Sequence, residues 1–159
     1  MPLSNTALRQ AVIKSKVRLT LKGHIGGLTS ARYSPNRKRI ITTGYDKSTK
    51  FWDTQTGSEL LELTGLDDAV RSAVYSPDGQ RIATASNDRT ARGWDSQTGL
   101  KLLTLEGHKG EVVSAGYSAD GRRVVTASWD GTAKGWGAQN GEELSTLTGH
   151  NDRSFSATY

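Results

Sequence analysis

A chain that repeats itself at a fixed interval does not fold around one continuous core. Each copy becomes a unit that must bury its apolar faces against its neighbours. Here the interval is 42 residues. Trp52, Trp94 and Trp136 keep it, as do Asp46, Asp88 and Asp130, and as do Tyr33, Tyr75, Tyr117 and Tyr159. Segments 66–107 and 108–149 agree at about half of their positions without a gap.

Each copy divides into short strands separated by turn chemistry. In the third, "EVVSAGYS" reads as a strand and "ADG" at 119–121 turns the chain. "RRVVTAS" forms a second strand rich in β-branched residues, "WDGT" a tight turn, and "TAKGWG" a third strand. Asn140-Gly141 is a hairpin-type turn, and "ELSTLTG" is the fourth strand. The 18 glycines and the modest 34% hydrophobic content fit an architecture of many turns and thin layers.

Four short strands per copy, a Gly-His pair (23–24, 107–108, 149–150) and a Trp-Asp pair (52–53, 94–95) make a blade signature. Asp lies 22 residues after the His and Trp six after the Asp. On these residues the chain resembles the WD-repeat family of β-propellers. The implied fold is all-β: a partial propeller of three four-stranded antiparallel blades, about 24–65, 66–107 and 108–149. An outer-type strand near 16–22 precedes them. The start of a fourth unit at 150–159 adds an inner-type strand near 152–159. Residues 1–15 form a basic tail, and 16–159 the repeat region.

The family's blades hold a hydrogen-bonded tetrad of His, Ser or Thr, Asp and Trp. Carried over by position, the third copy supplies His108, Ser128, Asp130 and Trp136. The second supplies Ser86, Asp88 and Trp94, with Leu66 where the His would stand. The first supplies His24, Asp46 and Trp52, with Gly44 where the Ser would stand. Ser, His and Asp together also invite a hydrolase reading, which requires a nucleophile within reach of the His beside an oxyanion hole. Recurrence in every copy, ending on an indole, favours polar satisfaction of turn amides and the Trp N–H instead. No enzyme activity is expected.

No cofactor or metal is expected either. The His residues lie 42 apart without a close second ligand, and no phosphate loop of usual spacing is present. The chain has no cysteine, which fits a reducing compartment and a cytoplasmic location. No apolar run approaches the ~20 residues that span a bilayer. The net charge of +5 comes from the front: nine basic residues precede Asp46, the first acidic one, and acidic residues outnumber basic ones thereafter. Basicity is thus an N-terminal feature, and nucleic-acid binding by the basic tail stands as an alternative ranked behind a protein-binding platform and behind a fragment of a larger repeat protein with no independent function.

Three further expectations follow. Gly93 and Gly135 stand where the family places Val, Ile or Leu and where the first copy has Phe51; an empty core position of that size costs ~2–5 kcal/mol unless a neighbour fills it. Propellers close with typically 4–8 blades, so three blades imply a piece of a larger propeller or, second, self-association through open blade faces. The resemblance also implies a protein- or peptide-binding platform on the narrow face. There the family contacts partners through the residue before each turn Asp and through positions three and five after each Gly-His histidine. These are Tyr45, Asn87 and Trp129; Gly27, Ala69, Glu111 and Arg153; and Thr29, Arg71, Val113 and Phe155. Tyr45 and Trp129 stand out as aromatics in tight turns, and aromatic and Arg side chains are the commonest interface anchors.

Overall fold

The computed structural model of the protein describes residues 19–150 and 156–159. Twelve strands run in chain order with no helix among the described residues. The first sheet holds β1 (Leu28–Tyr33), β2 (Arg39–Gly44), β3 (Thr49–Asp53) and β4 (Glu59–Leu63). The second holds β5 (Val70–Tyr75), β6 (Arg81–Ser86), β7 (Ala91–Asp95) and β8 (Lys101–Leu105). The third holds β9 (Val112–Tyr117), β10 (Arg123–Ser128), β11 (Ala133–Gly137) and β12 (Glu143–Leu147). Each is an antiparallel meander in sequence order, as a chain of short hairpins must be.

The core lies between the sheets. Side chains alternate across a strand, so the middle strands send apolar groups both ways. From β6, Ile82 joins Trp94, Ala73 and Tyr75 against Ile41, Phe51 and Leu63 of the first sheet. Ala83 and Ala85 turn instead toward Val112, Val124 and Trp136 of the third. An arginine ladder reinforces this stacking: Arg39 Nη1 donates to the Ser96 carbonyl at 3.1 Å, and its repeat mate Arg81 to the Ala138 carbonyl at 2.7 Å.

The flanking segments sit where the repeat predicts but belong to no sheet. Residues 19–22 and 156–159 carry no strand assignment. Among the described residues neither has a neighbouring strand to share a ladder with, and a strand without a ladder partner is not a strand. The remaining residues of these two expected strands, and the basic tail 1–15, lie outside the described residues.

The two interior glycines are compensated locally. A Cβ on Gly93 would lie 3.0 Å from Leu103, its cross-strand partner on β8, so that side chain occupies the space. At Gly135 the partner is Ser145, whose hydroxyl would lie 2.7 Å from a Cβ.

Turns between the first two strands of each sheet need a left-handed residue. Gly79 and Gly121 supply it with φ of 73° and 69°, but the first copy uses Arg37 at 59°. Left-handed backbone costs a side-chain-bearing residue about 1–2 kcal/mol, partly offset by the entropy glycine loses on folding. Arg37→Gly is therefore expected to add about 0.5–1 kcal/mol and raise Tm by a few degrees. A thermal melt reads this directly; a lower Tm counts against it.

Candidate functional site

The repeated polar residues form a chain through each blade, with a different hydroxyl from the one expected. Trp136 pairs across Val124 in the β10–β11 ladder. From there its indole Nε1–H reaches one pleat along and donates to Thr126 Oγ1 at 2.8 Å. Thr126 meets His108 Nε2 at 2.7 Å, and His108 Nδ1 meets Asp130 Oδ2 at 3.0 Å. The first blade repeats the set through Trp52, Thr42, His24 and Asp46. In the second, Trp94 donates to Thr84 at 2.9 Å.

Ser128 and Ser86 do not join these chains. Ser128 Oγ accepts the Asp130 amide at 3.1 Å, and Ser86 Oγ serves Ala69 O and the Asp88 amide. They lie one pleat beyond the threonines on the same strand face, out of the indole's reach. Gly44 leaves the blade-one chain intact for the same reason. The hydroxyl next to the turn Asp comes from Ser48, Thr90 or Thr132 instead.

The second blade lacks the histidine and solves the problem with charge. Arg92 takes the repeat position of Lys50 and Lys134 and sets its Nη2 2.8 Å from Asp88 Oδ2. The guanidinium is a charged neighbour there rather than an aligned hydrogen-bond donor. Its other contacts are Gly65 O and the Asp67 carboxylate.

Electrostatics keep both turn carboxylates charged and His108 neutral. Burial alone would push Asp130 up, but the Thr132 hydroxyl, the Lys109 amide and His108 outweigh it and hold the carboxyl far below the usual range. Asp46 is lowered likewise, burial being outweighed by the Ser48 hydroxyl, the Ile25 and Ser48 amides and His24. Burial lowers His108 despite the neighbouring Asp130. Neutral His108 then donates Nδ1–H to Asp130 and accepts the Thr126 O–H at Nε2, while Thr126 accepts from Trp136. Every group is satisfied in this one arrangement.

Stability should therefore fall on acidification in two stages. His108 has a folded pKa below its ordinary 6.5, so the unfolded chain takes up a proton first and stability drops as pH falls below about 6.5. Asp46 and Asp130 contribute fully above their ordinary 3.8, and that contribution is lost as pH falls below it. Each group adds a slope of at most about 1.4 kcal/mol per pH unit. Denaturant unfolding across pH 3–8 measures this; stability that rises on going from pH 7 to 5 would contradict it.

The narrow-face residues converge. In every copy the carbonyl three residues after the histidine position accepts the amide of the residue before the turn Asp. The pairs are Gly27 with Tyr45, Ala69 with Asn87, and Glu111 with Trp129, at 2.9–3.0 Å. This bond draws the loop and the turn of each blade together on one edge. Arg71 then ties the three blades. Its Nε donates to Asn87 Oδ1 at 2.8 Å, Nη1 to Tyr45 Oη at 2.8 Å, and Nη2 to Glu111 Oε2 at 3.3 Å. The guanidinium lies 4.8 Å from the Trp129 ring centroid and 5.5 Å from that of Tyr45. Beside it, Leu28, Thr29, Val113 and these rings line a groove of about 330 Å³. Leu28 and Tyr45 are more than half exposed. Arg153 and Phe155 lie outside the described residues.

Among the described residues no cluster of His, Cys, Asp or Glu is placed to hold a metal ion, and no helix is long and apolar enough to cross a membrane.

No curated protein matches the chain. Among solved structures it is similar to one described as U3-55K, with a TM-score of 0.79, 24% identity, and coverage of 84% of this chain and 42% of that one. A second, described as the crystal structure of RRP9 WD40 repeats, matches with the same TM-score, identity and coverage. This chain thus spans less than half the length of either. A family model for the WD domain, G-beta repeat, matches residues 15–53, 57–95 and 99–137, each match ending on the third strand of a sheet. With its repeats, its three four-stranded sheets and that match in agreement, the chain belongs to the WD40 repeat family, whose members generally serve as non-enzymatic platforms for protein–protein interaction.

Proposed function

We propose that this chain binds a protein or peptide partner on the narrow edge where Arg71 is held between Tyr45 and Trp129. The observation that carries the reading is that one guanidinium gathers side chains from all three blades. An arginine stacked on two aromatic rings presents a rigid amphipathic surface at low entropic cost, the character of interface anchors. The adjoining groove and the exposed Leu28 and Tyr45 offer apolar contact to a bound side chain.

The Ser/His/Asp set offers no comparable chemistry. The hydroxyl that meets His108 Nε2 is Thr126, fully buried and already accepting from Trp136. A nucleophile must face substrate, so a hydrolytic role has no support here. That this chain spans 42% of its structural neighbours supports a second reading, in which it acts as part of a larger propeller. An intracellular location fits both readings, on the absence of cysteine.

A displayed peptide library selected on the chain tests the first reading. Tyr45→Ala and Arg71→Met should weaken the enriched peptides at least about tenfold with the melt of Tyr45→Ala unchanged, the scale of an interface anchor. Lys38→Ala, on a turn between β1 and β2, should bind as before. Peptides insensitive to Tyr45 and Arg71 would refute the assignment.

A further inference from the structure

The two segments outside the sheets have the sequences of the strands they stand beside. Ser156-Ala157-Thr158-Tyr159 repeats Ser30-Ala31-Arg32-Tyr33 at the 42-residue phase, differing at one position. Leu19-Thr20-Leu21 is identical to Leu103-Thr104-Leu105 of β8 and sits one period before Leu61 of β4.

Their placement follows suit. Tyr75 packs edge-on against Phe51 of the preceding sheet, with ring centroids 6.2 Å apart. Tyr159 stands in the same relation to the third sheet, its hydroxyl 3.8 Å from where a Cβ on Gly135, the repeat mate of Phe51, would lie. Ala157 N–H donates to Ser114 Oγ at 3.0 Å. At the other end Leu19 and Leu21 lie against Gly57 as Leu61 lies against Gly99.

Single segments cover these faces poorly. Tyr33 is 63% exposed, whereas its repeat mate Tyr75, covered by a whole sheet, is 7% exposed. Leu147 is 62% exposed, against 2% for Leu63 and 1% for Leu105. Arg123, the third rung of the arginine ladder, is exposed, and Thr54 holds the carbonyl position that Ser96 and Ala138 fill for Arg39 and Arg81.

We infer that the face of the third sheet and the face of the first are two halves of the same sheet-to-sheet interface, and that a second copy of this chain joins them head to tail. In the joined state β1 of one copy displaces residues 156–159 of the other, and β12 displaces residues 19–21. Tyr33 then packs over Gly135, Leu147 is buried, and Arg123 donates to the Thr54 carbonyl. The complementarity is already built twice inside the chain, which makes a second copy the occupant. Two copies present six blades, within the range in which propellers close, and closure leaves no unpaired contact of a head-to-tail interface. Tyr33 and Leu147, on which the test turns, do not line the narrow-edge groove, although that groove takes Leu28 and Thr29 from the start of β1.

Light scattering after size exclusion, over a tenfold concentration range, tests this on the parent chain and a short series of variants. Ala157→Pro removes the N–H donated to Ser114 and should favour association by about five- to tenfold over the parent, the worth of one such hydrogen bond. Tyr159→Ser weakens the same segment should proline perturb the fold. Adding Tyr33→Asp or Leu147→Asp to either should return it to monomer. Association that these Asp substitutions abolish supports the proposal. Monomers throughout, or association indifferent to Tyr33 and Leu147, overturns it.

Discussion

Trp94→Ala is expected to cost about 3–5 kcal/mol, a large share of the stability of a domain this size. The indole is 1% exposed and sits in the apolar layer between the first two sheets with Ile41, Phe51, Leu63, Tyr75 and Ile82. Its removal empties the middle of that layer and strands the Thr84 hydroxyl. Strands here are buried on both faces, so the cavity cannot collapse by moving one element toward solvent. Denaturant unfolding should show a midpoint far below that of the parent. A loss under 1 kcal/mol would mean that the sheets do not stack as described.

The second large effect separates two hydroxyls that look alike in the sequence. Thr126→Val keeps the shape but removes the atom that Trp136 Nε1–H donates to and that meets His108 Nε2. Two buried polar groups lose their partner, at about 1–3 kcal/mol each, so the expected cost is about 2–6 kcal/mol. Ser128→Ala loses the acceptor of one turn amide and should cost about 0.5–1.5 kcal/mol. Equal costs, or the reverse order, would contradict the hydrogen-bond chain drawn here.

That pair also shows where sequence reading stops. The repeat, the strands and the turns were legible because spacing and turn residues are local: a Trp every 42 residues and a Gly or Asn at most of the tight turns admit few other folds. Ser128 and Thr126 both recur at that spacing, and residues two apart on a strand share a face. Choosing between them needs the β10–β11 register, which places Trp136 opposite Val124 and so next to Thr126. Leu66 was visible as a missing histidine, but the compensation by Arg92 was not. The signal was present in the sequence, as the one arginine at a position that holds lysine in the other two copies. Gly93 likewise read as a void, because filling it depends on Leu103 leaning across from its cross-strand position.

The narrow-edge residues were legible as separate positions on separate loops. Their union was not, since the contacts of Arg71 with Tyr45 and Glu111 span 26 and 40 residues. What joins them is the stacking of blades, which brings corresponding turns side by side. An arginine appears at that position in one copy only, where Thr29 and Val113 stand in the others. A central long side chain between two short ones is what lets a single guanidinium reach both neighbours.

Three of the four tryptophans hold the fold, and the fourth, Trp129, lies on the proposed binding edge. Indole N–H signals in a proton–nitrogen correlation spectrum, recorded while titrating a library-selected peptide, test that division most directly. The signals of Trp52, Trp94 and Trp136 should exchange slowly with solvent and stay in place, while that of Trp129 shifts as the peptide saturates. A shift at one of the three threonine-bound indoles, with Trp129 unmoved, would contradict both the structural role of the repeated polar chain and the proposed binding edge.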